Sequence, residues 1–241
     1  MRKLKAAIVA SAVLGLAFTL GACATTPTAT PDEGTVQTPD PSDVTDPQMG
    51  AAWLDGGKYI ALVTYGSSSC VPVADTVTLE GDTISVEFVE EPADQMCTAD
   101  FSPRATVFAA PEGTDPTTDV TIVAAGFEGE ATLAGLRETP AEVPEGSPSA
   151  GWFDSNGGFV VLTWGSSSCP PVVDSVEATG DADVAIIFAT PDPAQACTRD
   201  MAPRATIAYV DGLSSQVDIT LLPTGDNITG TTVILGSESN A

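Results

Sequence analysis

The stretch "YIALVTYGSSSCVPV" at residues 59–73 returns as "FVVLTWGSSSCPPV" at residues 159–172. Its reading decides the fold. The first part of each copy, "YIALV" or "FVVLT", is continuously apolar, too short for a helix and rich in β-branched residues, which predicts a central strand covered on both faces. A glycine and three serines then end the strand, and a cysteine follows.

The repetition extends well beyond this motif. Trp53 matches Trp152, Asp55 matches Asp154 and Asp75 matches Asp174. After a one-residue insertion near Asp181 to Asp183, "CTADFSPRAT" from Cys97 matches "CTRDMAPRAT" from Cys197. A period of about one hundred residues is too long for a solenoid and suits two tandem small domains. We place them at residues 51–137 and 150–236. Between them runs "ETPAEVPEGSPS", a Pro-rich linker at 138–149, and a short tail occupies 237–241.

Within each copy the apolar period is two. Val77 and Leu79 alternate with polar residues, Gly81-Asp82 turns the chain, and Ile84, Val86 and Phe88 alternate again, as in a hairpin. Val120 and Ile122, matched by Val217, Ile219 and Leu221, continue the pattern, and "ATLAGL" and "TTVIL" supply a last strand. The expected fold is all-β: two tandem antiparallel β-sandwich or partly open barrel domains of about six strands, each with one internal disulfide. Trp53 and Trp152 precede the first cysteine of each copy and no tryptophan lies between the cysteines, which disfavours immunoglobulin topology.

The N-terminus starts with basic Arg2, Lys3 and Lys5, continues through an apolar run to Leu20, and reaches Leu20-Gly21-Ala22-Cys23. The run is shorter than a bilayer span requires and reads as an export signal over residues 1–22. The four residues ending at Cys23 resemble the lipobox of bacterial lipoproteins. That resemblance implies cleavage before Cys23 and diacylation of its sulfur, an anchor that holds durably where a single acyl chain does not. Residues 23–50, rich in Thr, Pro and Asp, form the expected disordered tether.

Removing the signal removes three of the eight basic residues and leaves Lys58, Arg104, Arg137, Arg199 and Arg204 against 33 acids. Such a surface repels phosphate backbones and anionic headgroups, so no nucleic-acid partner is expected and the membrane is met only through the lipid. The expected location is the outer face of the cell membrane.

With Cys23 lipidated, Cys70, Cys97, Cys169 and Cys197 remain. Two pairings respect the repeat: Cys70 with Cys97 and Cys169 with Cys197, or crossed pairs between copies. The first is simpler because each copy then folds alone, with loop closure contributing roughly 3–4 kcal/mol. Export makes oxidation plausible.

The serine run invites a nucleophile reading, but a serine needs a base, and the chain has no histidine. Its one lysine outside the signal, Lys58, is matched by Gly157. Paired carboxylates, as in glycoside hydrolases, are abundant but unmarked. The turns at Asp154-Ser155-Asn156-Gly157-Gly158 and Asp181-Ala182-Asp183 do not match a calcium loop and are explained by turn chemistry. No catalytic residue, metal or cofactor is expected. The binding candidates are Ser68 and Ser167 with Arg104 and Arg204, as an anion or carboxylate receptor, and Trp53 and Trp152 as stacking platforms for sugars. Set against these are structural readings, in which each arginine pairs with Asp100 or Asp200 or with backbone carbonyls, and the tryptophans are core.

Taken together, Gly66 to Cys70 with Cys97 to Arg104, and Gly165 to Pro170 with Cys197 to Arg204, resemble segments of secreted lipoproteins of high-GC Gram-positive bacteria that carry Gly-Ser-Ser-Ser-Cys-Pro and Cys-Thr-x-Asp-x-x-Pro-Arg. The first copy departs at Val71. The resemblance brings no established activity. The expected function is a monomeric, lipid-anchored, non-catalytic binding or structural module for a cell-wall or other extracellular ligand. The alternatives are a small envelope enzyme acting on carbohydrate through paired carboxylates, or an inert spacer or envelope-assembly component.

Overall fold

The double-sided strand is where the two repeats meet. The computed structural model describes residues 49–210, 215 and 218–236. The signal, Cys23, nearly all of the tether and the tail lie outside the described residues. The first repeat runs β1 (Gly50–Leu54), β2 (Tyr59–Gly66), β3 (Ala74–Glu80), β4 (Thr83–Phe88), β5 (Ser102–Ala109), β6 (Val120–Ala124) and β7 (Ala131–Leu133). The second runs β8 (Ser149–Trp152), β9 (Gly158–Gly165), β10 (Val173–Ala178), β11 (Asp183–Phe188), β12 (Ala202–Tyr209), β13 (Thr220–Thr224) and β14 (Thr232–Leu235).

In the first repeat β1-β2-β5 forms one sheet and β3-β4-β6-β7 another. Between them lies a core of Trp53, Ile60, Leu62, Ile84, Val86, Phe108, Ile122 and Leu133. The second repeat is built alike around Trp152, Phe159, Val161, Val184, Ile186, Phe188, Ile219 and Leu221. There a parallel pairing of β14 with β8, Ile234 opposite Ala150, joins both halves into one seven-stranded sheet. The first repeat closes differently, with the Trp53 indole N–H donating to the Ala134 carbonyl at 2.9 Å.

A third core joins the repeats. Ala52, Leu54, Ala61 and Val63 of the first repeat pack on Val160 and Leu162 of the second. Since side chains alternate across a strand, Ile60 and Leu62 enter their own repeat's core while Ala61 and Val63 face the other repeat. This explains the continuous apolar run: Ile60 to Val63 and Phe159 to Leu162 are each buried, on one side or the other. Where β1 crosses β8 the backbones nearly touch. A Cβ on Gly151 would lie 2.2 Å from the Trp53 carbonyl oxygen, so only glycine fits. The Ser149 hydroxyl accepts the Asp55 amide across this crossing at 2.8 Å. Two repeat domains thus pack as one compact unit within Thr45–Ala241.

The hairpin reading holds in register: Val77 lies opposite Val86 and Leu79 opposite Ile84, with Gly81 at φ 65° in the turn. The repeated Asp75 and Asp174 mark bulges, where the register of β3 on β4 and of β10 on β11 shifts. Two points differ from expectation. Among the described residues each repeat has seven strands rather than about six, and β4 with β6 and β11 with β13 are parallel pairs in otherwise mainly antiparallel sheets. The additional strands include β5 and β12, which contain the "PRAT" segments expected as loops. Pro103 and Pro203 obscure them in the sequence. Both are tolerated because β5 and β12 lie at sheet edges, where a missing N–H costs no ladder bond.

Candidate functional site

At the end of β2 the chain turns through Ser67, Ser68 and Ser69 into Cys70, which is disulfide-bonded to Cys97; Cys169 pairs with Cys197 in the second copy. The within-repeat connectivity is therefore the one formed. Each bridge brings the serine run against the Cys-Thr-x-Asp segment. Asp100 accepts the Ser68 amide at 3.2 Å, the Ser102 hydroxyl at 2.9 Å and the Thr98 hydroxyl. Ser69 in turn accepts the Thr98 amide at 3.0 Å, and Ser67 shares a 2.8 Å hydrogen bond with the Thr98 hydroxyl. The second copy reproduces this with Ser167 on Asp200, Thr198 on Ser168 and Ser166 on Thr198.

Donated hydrogen bonds stabilise a carboxylate over its acid. The Thr98 hydroxyl, then Ser68 and Ser102, hold Asp100 well below the ordinary carboxylate range. Ser167 and Thr198 hold Asp200 down to about 2. A carboxylate so stabilised is a weak proton acceptor, so the group nearest the serines is a poor general base for them.

The arginines complete the corner from below. Arg104 donates to the carbonyls of Cys70 and Ser67, and Arg204 donates to those of Cys169 at 2.9 Å and Trp164 at 3.2 Å. They serve carbonyls that the sheet leaves open, not Asp100 or Asp200. The guanidinium lies flat on the glycine ending the strand: a Cβ on Gly66 would come within 2.7 Å of the Arg104 Cζ, and one on Gly165 equally close to that of Arg204. Glycine in "GSSSC" is thus required by an arginine far along the sequence, Arg104 for Gly66 and Arg204 for Gly165. Among the sequence candidates, Ser68, Ser167, Arg104 and Arg204 do converge, but around the backbone of the corner. Trp53 and Trp152 are removed as stacking platforms because they are 1% and 4% exposed, filling the cores of their repeats.

The two ends of the junction between repeats differ. At one, Tyr65 stacks on Phe101 with centroids 5.8 Å apart, and Tyr209 packs edge-on against Phe153. Burial and a hydrogen bond with Tyr65 raise the Tyr209 phenol well above its usual range. At the other end Trp164 holds the place of Tyr65 and Met201 that of Phe101. There Trp164 packs edge-on against Tyr59 with centroids 5.4 Å apart. Three cavities share Trp164 as a wall: one of about 650 Å³ with Asp55, Lys58, Tyr59 and Glu145, one of about 350 Å³ with Glu145, Arg204 and Asp226, and one of about 480 Å³ with Asp192, Gln195, Arg204 and Asp226.

Sequence reasoning passed over this groove. The available signal was the change from Tyr65 to Trp164 inside an otherwise repeated motif. No helix among the described residues is long and apolar enough to cross a membrane. Comparison of the chain with protein-family models, with curated proteins and with solved structures finds no match.

Proposed function

We propose that this chain is a lipid-anchored, non-catalytic binding module on the outer face of the cell envelope. The observation carrying this reading is the state of the serine corner. Its hydroxyls and amides are engaged by Thr98 and Asp100, or Thr198 and Asp200, and these carboxylates are held ionised rather than poised to take a proton. Two internal disulfides agree with an oxidising compartment. The Leu20-Gly21-Ala22-Cys23 motif supplies the anchor and residues 23–50 the tether, and the acidic surface leaves the lipid as the means of attachment.

The test is fractionation of expressing bacteria with mass spectrometry of the N-terminal peptide. The wild-type chain is expected in the membrane fraction, beginning at an acylated Cys23, and Cys23→Ser is expected to abolish acylation and membrane retention. Recovery of the wild-type protein from the soluble cytoplasm with Cys23 unmodified would overturn the reading.

A further inference from the structure

Resting on the binding-module reading, we propose that the groove around Trp164 binds a linear, uncharged, hydroxyl-rich glycan, with Trp164 as the stacking platform. Three observations carry this. The first is shape. The middle cavity shares Glu145, Gly146 and Trp164 with one neighbour and Trp164, Arg204 and Asp226 with the other, so the three form an extended groove rather than a single compact pocket. The amphipathic ring of Trp164 stands where the cavities meet, with Tyr59 beside it in one of them.

The second is charge. The chain keeps five basic residues against 33 acids after its signal, yet two of the five, Lys58 and Arg204, line this groove. Lys58 shares its cavity with Asp55 and Glu145, and Arg204 shares its own with Glu145 and Asp226. The groove therefore carries two bases, Lys58 and Arg204, against four acids, Asp55, Glu145, Asp192 and Asp226, nearer to balance than the chain as a whole. Such a lining suits hydroxyls, which both donate and accept, better than an anionic polymer or a cationic peptide.

The third is backbone conformation. Among the described residues, the non-glycine positions with positive φ are Asp55 at 49°, Asp226 at 44° and Asn227 at 59°. All three line the groove. Such positions are uncommon outside glycine and gather where side chains must be aimed at a ligand. At the matching end of the junction, Tyr65 stacks on Phe101 with centroids 5.8 Å apart.

The experiment uses the protein beginning at residue 23, lipid-free, titrated calorimetrically with hexamers of β-1,4-linked N-acetylglucosamine and of α-1,4-linked glucose, and with hexalysine. Of its three tryptophans, Trp53 and Trp152 are buried, so a ligand-induced fluorescence change reports on Trp164. Saturable binding of at least one hexasaccharide is expected, with a fluorescence change. Affinity should fall at least tenfold in Trp164→Ala and in Asp226→Asn, remain within about threefold in Trp164→Phe, and be unchanged in Tyr65→Ala. Melting curves establish that each variant is folded. The N-acetylated oligomer binding alone points to a wall-type glycan, and the glucan alone to another polysaccharide. Binding of hexalysine alone, of no saccharide, or equally by Trp164→Ala and Asp226→Asn overturns the inference while leaving the module reading intact. Release of shorter sugars during the titration overturns the module reading itself.

Discussion

Replacing Leu162 by alanine tests the central architectural claim, that the two repeats melt as one body. Leu162 lies on β9, fully buried, with its side chain in the layer shared by Ala52, Leu54, Ala61, Val63 and Val160. That layer is held between β2 and β9, each fixed on its far face by its own repeat's core, so neither sheet is free to collapse into the space left by three carbons and their hydrogens. Leucine-to-alanine changes at such sites cost the transfer free energy of the lost methyl groups and an added cavity cost, about 3–5 kcal/mol together. In a unit of this size each kcal/mol lowers the melting temperature by about 2–4 °C, so the expected displacement is roughly 6–20 °C. Differential scanning calorimetry should show one transition in both wild type and variant, with calorimetric and van't Hoff enthalpies equal. Ile186→Ala, buried in the second repeat's own core, should displace that same single transition. Two transitions in the wild type, with Ile186→Ala moving only one of them, would refute the reasoning: the third core would then be a contact between independent domains.

Two further outcomes are expected of the serine corner. Removing one bridge by changing Cys97 to serine, together with Cys70 to serine, opens a loop spanning 27 residues and should cost roughly 3.5 kcal/mol, read in denaturant unfolding. Asp200 has its pKa depressed from 3.8 to about 2, so the stability it contributes is fully present above about pH 4 and is lost as the pH falls toward 2. The difference in melting temperature between wild type and Asp200→Asn should accordingly be constant from pH 7 to 5 and shrink between pH 4 and 2. A difference that grows on acidification would contradict the role of the Ser167 and Thr198 hydrogen bonds.

Much of the local structure was legible because it depends on neighbours in sequence. Period two gave the β3 and β4 hairpin, with the turn at Gly81-Asp82, and the repeat related every element of the first copy to one in the second. Cysteine spacing left two pairings open, and proximity in the folded repeat selected one. The strand nature of "PRAT" was hidden by proline, whose acceptability depends on the strand lying at a sheet edge, a fact about neighbours far away in the chain. The roles of Arg104 and Arg204 were likewise divided between aspartate and carbonyl partners, and the geometry assigned the carbonyls.

The sequence by itself determined the all-β class, the duplication, and a strand in each copy that must be covered on both sides, because alternation and apolar runs are local consequences of how side chains leave a strand. It did not say what would cover the outer face of "YIALV" and "FVVLT". Only the tertiary structure decided that each covers the other. That packing places Trp164 edge-on beside Tyr59 at one end of the junction, and Tyr65 stacked on Phe101 at the other. The difference arises because the two copies have diverged at the few positions where they meet, and residues far apart in the chain become a surface only when the sheets that carry them are stacked.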